Sequence, residues 1–286
     1  MKAWAVVEAG APLQEIELPN PEPTGTEVVV EVTHCGVCHS DLHFWKGEYN
    51  MGGGKVMRIA DRGVTLPRAP GHEIAGRVIA IGPDAQDVAI GDVRVVYPWL
   101  GCGHCAACMA EQDNMCTAQR QLGVVQHGGF AAQVVVPHPR YLVDPGGVDL
   151  ALAATYACSG ISVYSALRKV MPLAPDDAVV LIGAGGLGLM GIAMLKAFGH
   201  RHIISIDTDA DKLAAALAEG ATKAIDGRGH SAHSTIWLSQ RHPKPPQPLS
   251  QSHPKPPQRH RRYRLPLGSQ HDSALPEPPK ATTAAL

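Results

Sequence analysis

Ala178-Val179-Val180-Leu181-Ile182-Gly183-Ala184-Gly185-Gly186-Leu187-Gly188 runs from five consecutive apolar residues into glycines spaced as GxGxxG. A short, continuous apolar run that ends in glycine reads as a strand buried on both faces. The apolar stretch Leu189–Gly199 reads as a helix opening on those glycines, and Ile203–Ile206 as a second strand closed by Asp207. Asp209–Glu219 then reads as a second helix and Thr222–Ile225 as the start of a third strand. Strand, helix, strand, helix, strand in succession predicts a parallel sheet with covering helices. In that setting the glycines meet the conditions of a dinucleotide fingerprint: a tight turn, close approach of the backbone to a pyrophosphate, and a helix N-terminus behind it. Gly183, Gly185, Gly186, Leu187 and Gly188 are the expected pyrophosphate loop. Asp207, 19 residues beyond Gly188, is placed to bind the adenosine ribose hydroxyls and to repel a 2′-phosphate, which predicts NAD over NADP. The plainer reading of the same glycines is close strand-helix packing without a ligand.

Upstream the texture changes. Leu150–Val170, rich in Ala, Leu and Ser, reads as helix. Before it, short alternating or β-rich runs at Ala3–Val7 and Glu27–Val32 are separated by turns such as Pro19-Asn20-Pro21-Glu22-Pro23. With further strand candidates at Ile74–Ile81, Arg94–Tyr97 and Ala131–Pro137, this predicts an antiparallel barrel or sandwich. Met51–Leu66, which contains three consecutive glycines, reads as a long surface loop.

Two stretches in this first region carry metal chemistry. Cys102, Cys105, Cys108 and Cys116 follow a CxxCxxCx7C pattern, and four thiolates so spaced can close a tetrahedral structural zinc site with no open position. An iron–sulfur cluster is the chemical alternative. The second stretch, Gly36-Val37-Cys38-His39-Ser40-Asp41-Leu42-His43, reads as a loop leaving a strand edge, with a soft metal ligand among proton donors and acceptors. A catalytic metal needs an open position and hence three protein ligands. Cys38 offers one and His72, in Gly71-His72-Glu73, a natural second, with Glu73 as a possible transient ligand. Taken singly, residues such as His72 and Cys158 are more often core or surface residues than ligands.

Seven Cys without a signal peptide point to metal binding in a reducing, cytoplasmic setting. No uninterrupted apolar run approaches a membrane span, so no membrane association is expected. The formal net charge of −1 conceals a split: residues 227–286 carry +7 and the first 226 residues −8. Those last 60 residues hold 11 of the 24 Pro, no Val, Phe or Met, and the repeat Ser-Gln-Arg-His-Pro-Lys-Pro-Pro-Gln (239–247) and Ser-Gln-Ser-His-Pro-Lys-Pro-Pro-Gln (250–258). Such a composition predicts disorder.

With these motifs assembled, the chain resembles a zinc-dependent alcohol dehydrogenase of the medium-chain dehydrogenase/reductase superfamily over residues 1–226. The resemblance implies an α/β plus β architecture. A GroES-like zinc catalytic domain with a structural zinc lobe (1–150) precedes a partial Rossmann NAD-binding domain (151–226) and the Pro-rich tail (227–286), with a cleft between the two domains. It implies two zinc ions per chain, one catalytic on Cys38, His72 and Cys158 with Glu73 beside them, and one structural on the four-Cys lobe. Ser40 is implied to hold the substrate hydroxyl and pass its proton toward His43, His39 to face the pyrophosphate, and Asp41 to orient His72. Ser162 is implied to lie against the nicotinamide, and Trp45 and Trp99 to line the pocket of an apolar alcohol.

The implied reaction is hydride transfer between a primary or secondary alcohol and NAD, giving aldehyde or ketone. The ending departs from the family, whose Rossmann domain has six strands. The tail looks like a wrong reading frame or a mispredicted gene end, so weak or no activity is expected of the chain as written. A homo-oligomer is usual in the family, but the dimer-forming part of the sheet has no counterpart here. The alternative is a catalytically dead zinc-binding homologue whose tail docks a proline-recognising partner; a nucleic-acid partner for the arginine-rich 259–264 is not favoured. A zinc-free quinone reductase of the same superfamily is opposed by Cys38, His72 and the four-Cys lobe.

Overall fold

In the computed structural model, which describes residues 1–228 and 284–285, the alternating valines of the first region become the middle of a sheet. In chain order this region contains β1 (Lys2–Ala5), β2 (Gln14–Glu17), β3 (Val28–Gly36), α1 (His39–Lys46), β4 (Glu48–Asn50), β5 (Val56–Arg58), β6 (Glu73–Ile81) and β7 (Val93–Val96). It continues with α2 (Ala106–Met109), β8 (Gln133–Val136), β9 (Leu142–Val143), α3 (Leu150–Thr155), a π turn (Tyr156–Gly160) and α4 (Ile161–Val170). Five strands form an antiparallel sheet in the order β8-β3-β6-β7-β9. Alternate residues Val28, Val30, Ile74, Val78, Val134 and Val136 point to one side and bury together with Val96, Leu100, Leu122 and Tyr141. The β3–β6 pairing slips register between Val29 and Val30 and again between Val32 and His34. Such bulges bend the strand, and they bring its end, Gly36, opposite Glu73.

Three expectations are corrected here. Gly36–His43 is not a loop: Gly36 ends β3, Cys38 is an extended N-cap, and α1 starts at His39. The cause is local, because the Cys38 N–H donates to the Asp41 carboxylate three residues on (2.9 Å), as in a capping box. Met51–Leu66 is also more ordered than a loop. It contains β5, paired with β4, and a single 3-10 turn at Ala60–Arg62, with the glycines forming the hairpin end. The helix over Leu150–Val170 reaches 21 residues and contains an 18-residue stretch with a mean hydropathy of 1.4, long and apolar enough to cross a membrane by those measures. Its alanines explain that composition: Ala153, Ala154 and Ala157 pack on Ala75 and Val95 of the antiparallel sheet.

The chain divides into two units, Met1–Ala166 and Leu167–Leu286. The division falls inside α4, whereas the change of period at residue 150 marks the start of α3. In the second unit β10 (Ala178–Ile182), α5 (Gly186–Ala197), β11 (His202–Asp207), α6 (Ala210–Glu219) and β12 (Lys223–Asp226) alternate as predicted. The three strands are parallel and adjacent in the order β12-β11-β10. Val179, Val180, Ile203 and Ile204 are buried from the strands, and Ile192 and Leu195 from α5. The outer edge of β10 carries a two-residue parallel strand, Ala284–Ala285. The expectation of disorder for the tail falls, over 229–283 and at 286, outside the described residues.

Candidate metal centres and cofactor loop

Three separate pieces of the first unit converge on one point. Cys38 is the N-cap of α1, His72 stands immediately before β6 and Glu73 opens it, and Cys158 sits in the π turn between α3 and α4. Their ligand atoms all lie within 4.8 Å of one another, with the Cys38 and Cys158 sulfurs 3.6 Å apart. Zinc–sulfur bonds of about 2.3 Å in a tetrahedron place sulfurs roughly 3.8 Å apart, so the pair fits the edge of such a site. Two sulfurs, one imidazole nitrogen and a carboxylate make a mixed donor set able to hold a zinc ion.

Asp41, almost fully buried, organises the centre. One carboxylate oxygen accepts the Cys38 N–H, and the other accepts the Gly71 N–H and the His72 Nδ1–H, each at 3.1 Å. With Nδ1 engaged by Asp41, Nε2 is the ring nitrogen left for a metal, which would displace its proton on binding. Charges follow from this packing. The Cys38 thiol is pulled down to about 3, first by its hydrogen bond with Cys158 and then by that with His72, while Cys158 is pushed up by the same pair. Burial works against a charged His72, but hydrogen bonds with Asp41 and Cys38 outweigh it and raise the imidazole to about 10. Burial, and then the Cys38 charge, raise the Glu73 carboxyl. The seventh cysteine, Cys35, is driven up to about 12 by burial and is inert by comparison.

Two glycines of the quoted motifs prove to be part of this centre, which the sequence reading did not recognise. A Cβ on Gly36 would stand 2.0 Å from Glu73 Oε2, so the missing side chain is the space that the carboxylate occupies. Gly71 has φ +94°, and a Cβ there would strike Phe130 and the Cys35 sulfur. The backbone just before His72 is further held by Gly128, Gly129 and Phe130, whose N–H groups donate to Ala69, Gly71 and Pro70. The π turn around Cys158 was also unforeseen. Such turns insert an extra residue into a helix and recur at functional sites. No periodicity signal reports them, because apolar spacing barely changes.

The residues assigned to proton transfer lie along α1. Ser40 and His43 are half-buried and His39 is exposed. The His43 ring stands 4.8 Å from that of His39 and 5.1 Å from that of Tyr49, centroid to centroid, and the Tyr49 hydroxyl donates to the Ser40 carbonyl. Trp45 packs against Val6, Phe44 and Ile59 and donates from its indole to the Ala11 carbonyl at 2.6 Å. Trp99 is half-buried, and Ser162 is exposed one turn beyond Cys158.

The second cluster is local. Cys102, Cys105, Cys108 and Cys116 also hold their sulfurs within 4.8 Å of one another, with separations of 3.5, 3.8 and 3.9 Å for three pairs. Those values match the edges of a zinc–thiolate tetrahedron. Backbone N–H groups of Cys102, Cys105 and Ala118 point at sulfurs of the cluster at 3.4 Å, which stabilises thiolate charge. Accordingly Cys102 is lowered to about 6, chiefly by N–H groups of His104 and Cys105.

In the second unit the glycine turn has the geometry its spacing requires. Gly183 is at φ +99°, and a Cβ on Gly188 would lie 1.9 Å from the Gly183 carbonyl. Gly185 is the N-cap of α5, and Gly186 and Leu187 open its first turn. The Asp207 carboxylate accepts N–H groups from Ala184 (2.7 Å), Thr208 (2.7 Å) and Asp209 (3.0 Å), which hold it ionised.

An antiparallel GroES-like sheet bearing a four-cysteine lobe and a Cys/His/Glu centre, followed by a glycine-loop βαβ segment, defines a zinc-type medium-chain dehydrogenase. The chain belongs to that family: residues 24–145 match the alcohol dehydrogenase GroES-like domain. An NAD-dependent alcohol dehydrogenase from Sulfurisphaera tokodaii is 38% identical over 237 residues, covering 82% of this chain and 67% of that one. Another from Saccharolobus solfataricus is 37% identical over 79% of this chain and 64% of its own. Among solved structures, the alcohol dehydrogenase rspB of E. coli CFT073, complexed with NADH, superposes with a TM-score of 0.72 at 27% identity, over 85% of this chain and 67% of that one. The chain thus spans about two thirds of the length of the relatives it matches.

Proposed function

We propose that this chain is a zinc- and NAD-dependent alcohol dehydrogenase interconverting a primary or secondary alcohol with its aldehyde or ketone. The observation that carries this reading is the convergence of Cys38, His72, Glu73 and Cys158 within 4.8 Å, with Asp41 behind His72. Zinc bound there supplies Lewis acidity that lowers the pKa of an alcohol oxygen, and NAD supplies the hydride acceptor. Cys38, His72 and Cys158 hold the metal, and Glu73 stands by as an exchangeable fourth ligand. Ser40 holds the substrate hydroxyl and takes its proton, and His43, one turn along α1, passes that proton outward. His39 and Ser162 bind the cofactor. Gly183–Gly188 receives its pyrophosphate and Asp207 its adenosine ribose, with the carboxylate opposing the extra phosphate of NADP.

Metal analysis of the purified chain with an NAD-linked alcohol assay tests the proposal. Two zinc ions per chain and NAD-dependent oxidation of a simple alcohol are the supporting result. Absence of zinc would return the quinone reductase reading, and preference for NADP would remove the role given to Asp207. The rate in the same assay tests the expectation of weak or no activity, which turnover at ordinary rates with NAD would overturn.

A further inference from the structure

The four-cysteine lobe has a neighbour outside its own loop. Asp113, on a 3-10 turn (Asp113–Met115) just before Cys116, has a side chain only 12% exposed. Its Oδ1 accepts from the Arg140 guanidinium and from the Tyr141 hydroxyl, both at 2.8 Å. Tyr141 is buried in the main core, accepts the Gly101 N–H at 3.2 Å, and lies under the Arg140 guanidinium, 4.7 Å from its ring centroid. Gly101 shows how close this assembly comes to the metal ligands. A Cβ there would stand 2.3 Å from Asp113 Oδ1 and 2.5 Å from Cys108 Sγ, so carboxylate and sulfur flank the same point. A carboxylate against a tetrathiolate is electrostatically unfavourable: a divalent ion binding four thiols releases four protons and leaves two net negative charges, so an anion beside the cluster favours the protonated, metal-free thiols.

We infer that Arg140 is the counter-charge that lets Asp113 serve as the anchor of the four-cysteine lobe, making both positioning residues for the structural metal. Asp113 ties the lobe to Tyr141 and hence to the barrel core, and Arg140 cancels the charge that this tie places beside Cys108. The inference rests on the proposed occupancy of the lobe by zinc. Arg140 and Asp113 are separated by 27 positions, so nothing in the spacing of the cysteines signals them.

The experiment uses the full chain carrying Cys38→Ser, so that the lobe is the only complete four-ligand site among the described residues. Zinc content is measured first: a chain without zinc would remove the underlying reading rather than this inference. Release of zinc to a chromophoric chelator is then timed for Arg140→Gln, Arg140→Lys, Asp113→Asn and Asp113→Asn/Arg140→Gln. Neighbours of a metal site commonly change its affinity by about tenfold or more. Arg140→Gln is expected to release zinc roughly tenfold faster, and Arg140→Lys to stay near the parent. Adding Asp113→Asn to Arg140→Gln is expected to recover most of the loss, because the charge is gone while its amide oxygen still accepts from Tyr141. Unchanged release in Arg140→Gln overturns the inference. So does a double variant that loses zinc faster than either single one, since that marks a mechanical clamp without charge compensation. Circular dichroism of each variant separates these outcomes from misfolding.

Discussion

The two cysteine-bearing centres of the first unit are alike in sulfur geometry and opposite in construction. The lobe draws all four ligands from residues 102–116, whereas the Cys38 centre takes its ligands from a helix cap, a strand start and a π turn spread over residues 38–158. The first closes by local chain geometry, and the second exists only when β3, β6 and the helix after residue 150 are packed. Under the proposed function, this difference separates a metal that would hold a segment together from one that the fold would hold open for chemistry.

The largest effect expected from breaking this contrast is at Cys38. Cys38→Ser should abolish whatever NAD-linked turnover the parent chain shows, given the several kcal/mol that a Lewis-acidic metal contributes. It should remove one of two zinc ions while leaving the melting temperature nearly unchanged. Cys105→Ser should do the reverse, costing the other zinc and a few kcal/mol of stability, read as a fall of about 5–10 °C in Tm. Equal loss of Tm in both variants would show that the two centres are not divided in this way. Asp41→Ala tests the assembled centre more finely. It removes one acceptor from three separate donors, and zinc affinity at the Cys38 site should drop about 10- to 100-fold by competition with a chelator. The lobe should keep its metal. The smallest effect belongs to the second unit: Asp207→Ala should raise KM for NAD about tenfold and narrow the preference over NADP, with zinc content unaltered. A KM for NAD that does not move would contradict the ribose contact.

What could be read from the sequence follows the same division. The lobe and the glycine turn were legible because their chemistry is written in short spacings, and the strands were legible from their alternation. Cys158 was different: as a lone cysteine it carried no signal of its own, and only resemblance singled it out. The helical start at His39 was missed although Asp41 stands three residues after Cys38, because cysteine is an unusual N-cap. Gly36 was quoted without a purpose, since the Glu73 carboxylate that fills its place arrives only through the β3–β6 register. Arg140 and Asp113 were invisible for the same reason.

The π turn at Tyr156–Gly160 has a consequence for how this chain can tolerate change in length. Each α-helical residue turns the chain by about 100°, so Cys158 is held at a bearing that counts residues. Losing a single codon between Tyr156 and Gly160 would remove the residue that makes the bulge and turn Cys158 away from Cys38 and His72. A codon lost from Gly52–Gly54, at the exposed end of a hairpin, would only shorten a turn. The helix over Leu150–Val170 is therefore a segment in which substitutions can be absorbed singly while insertions and deletions cannot.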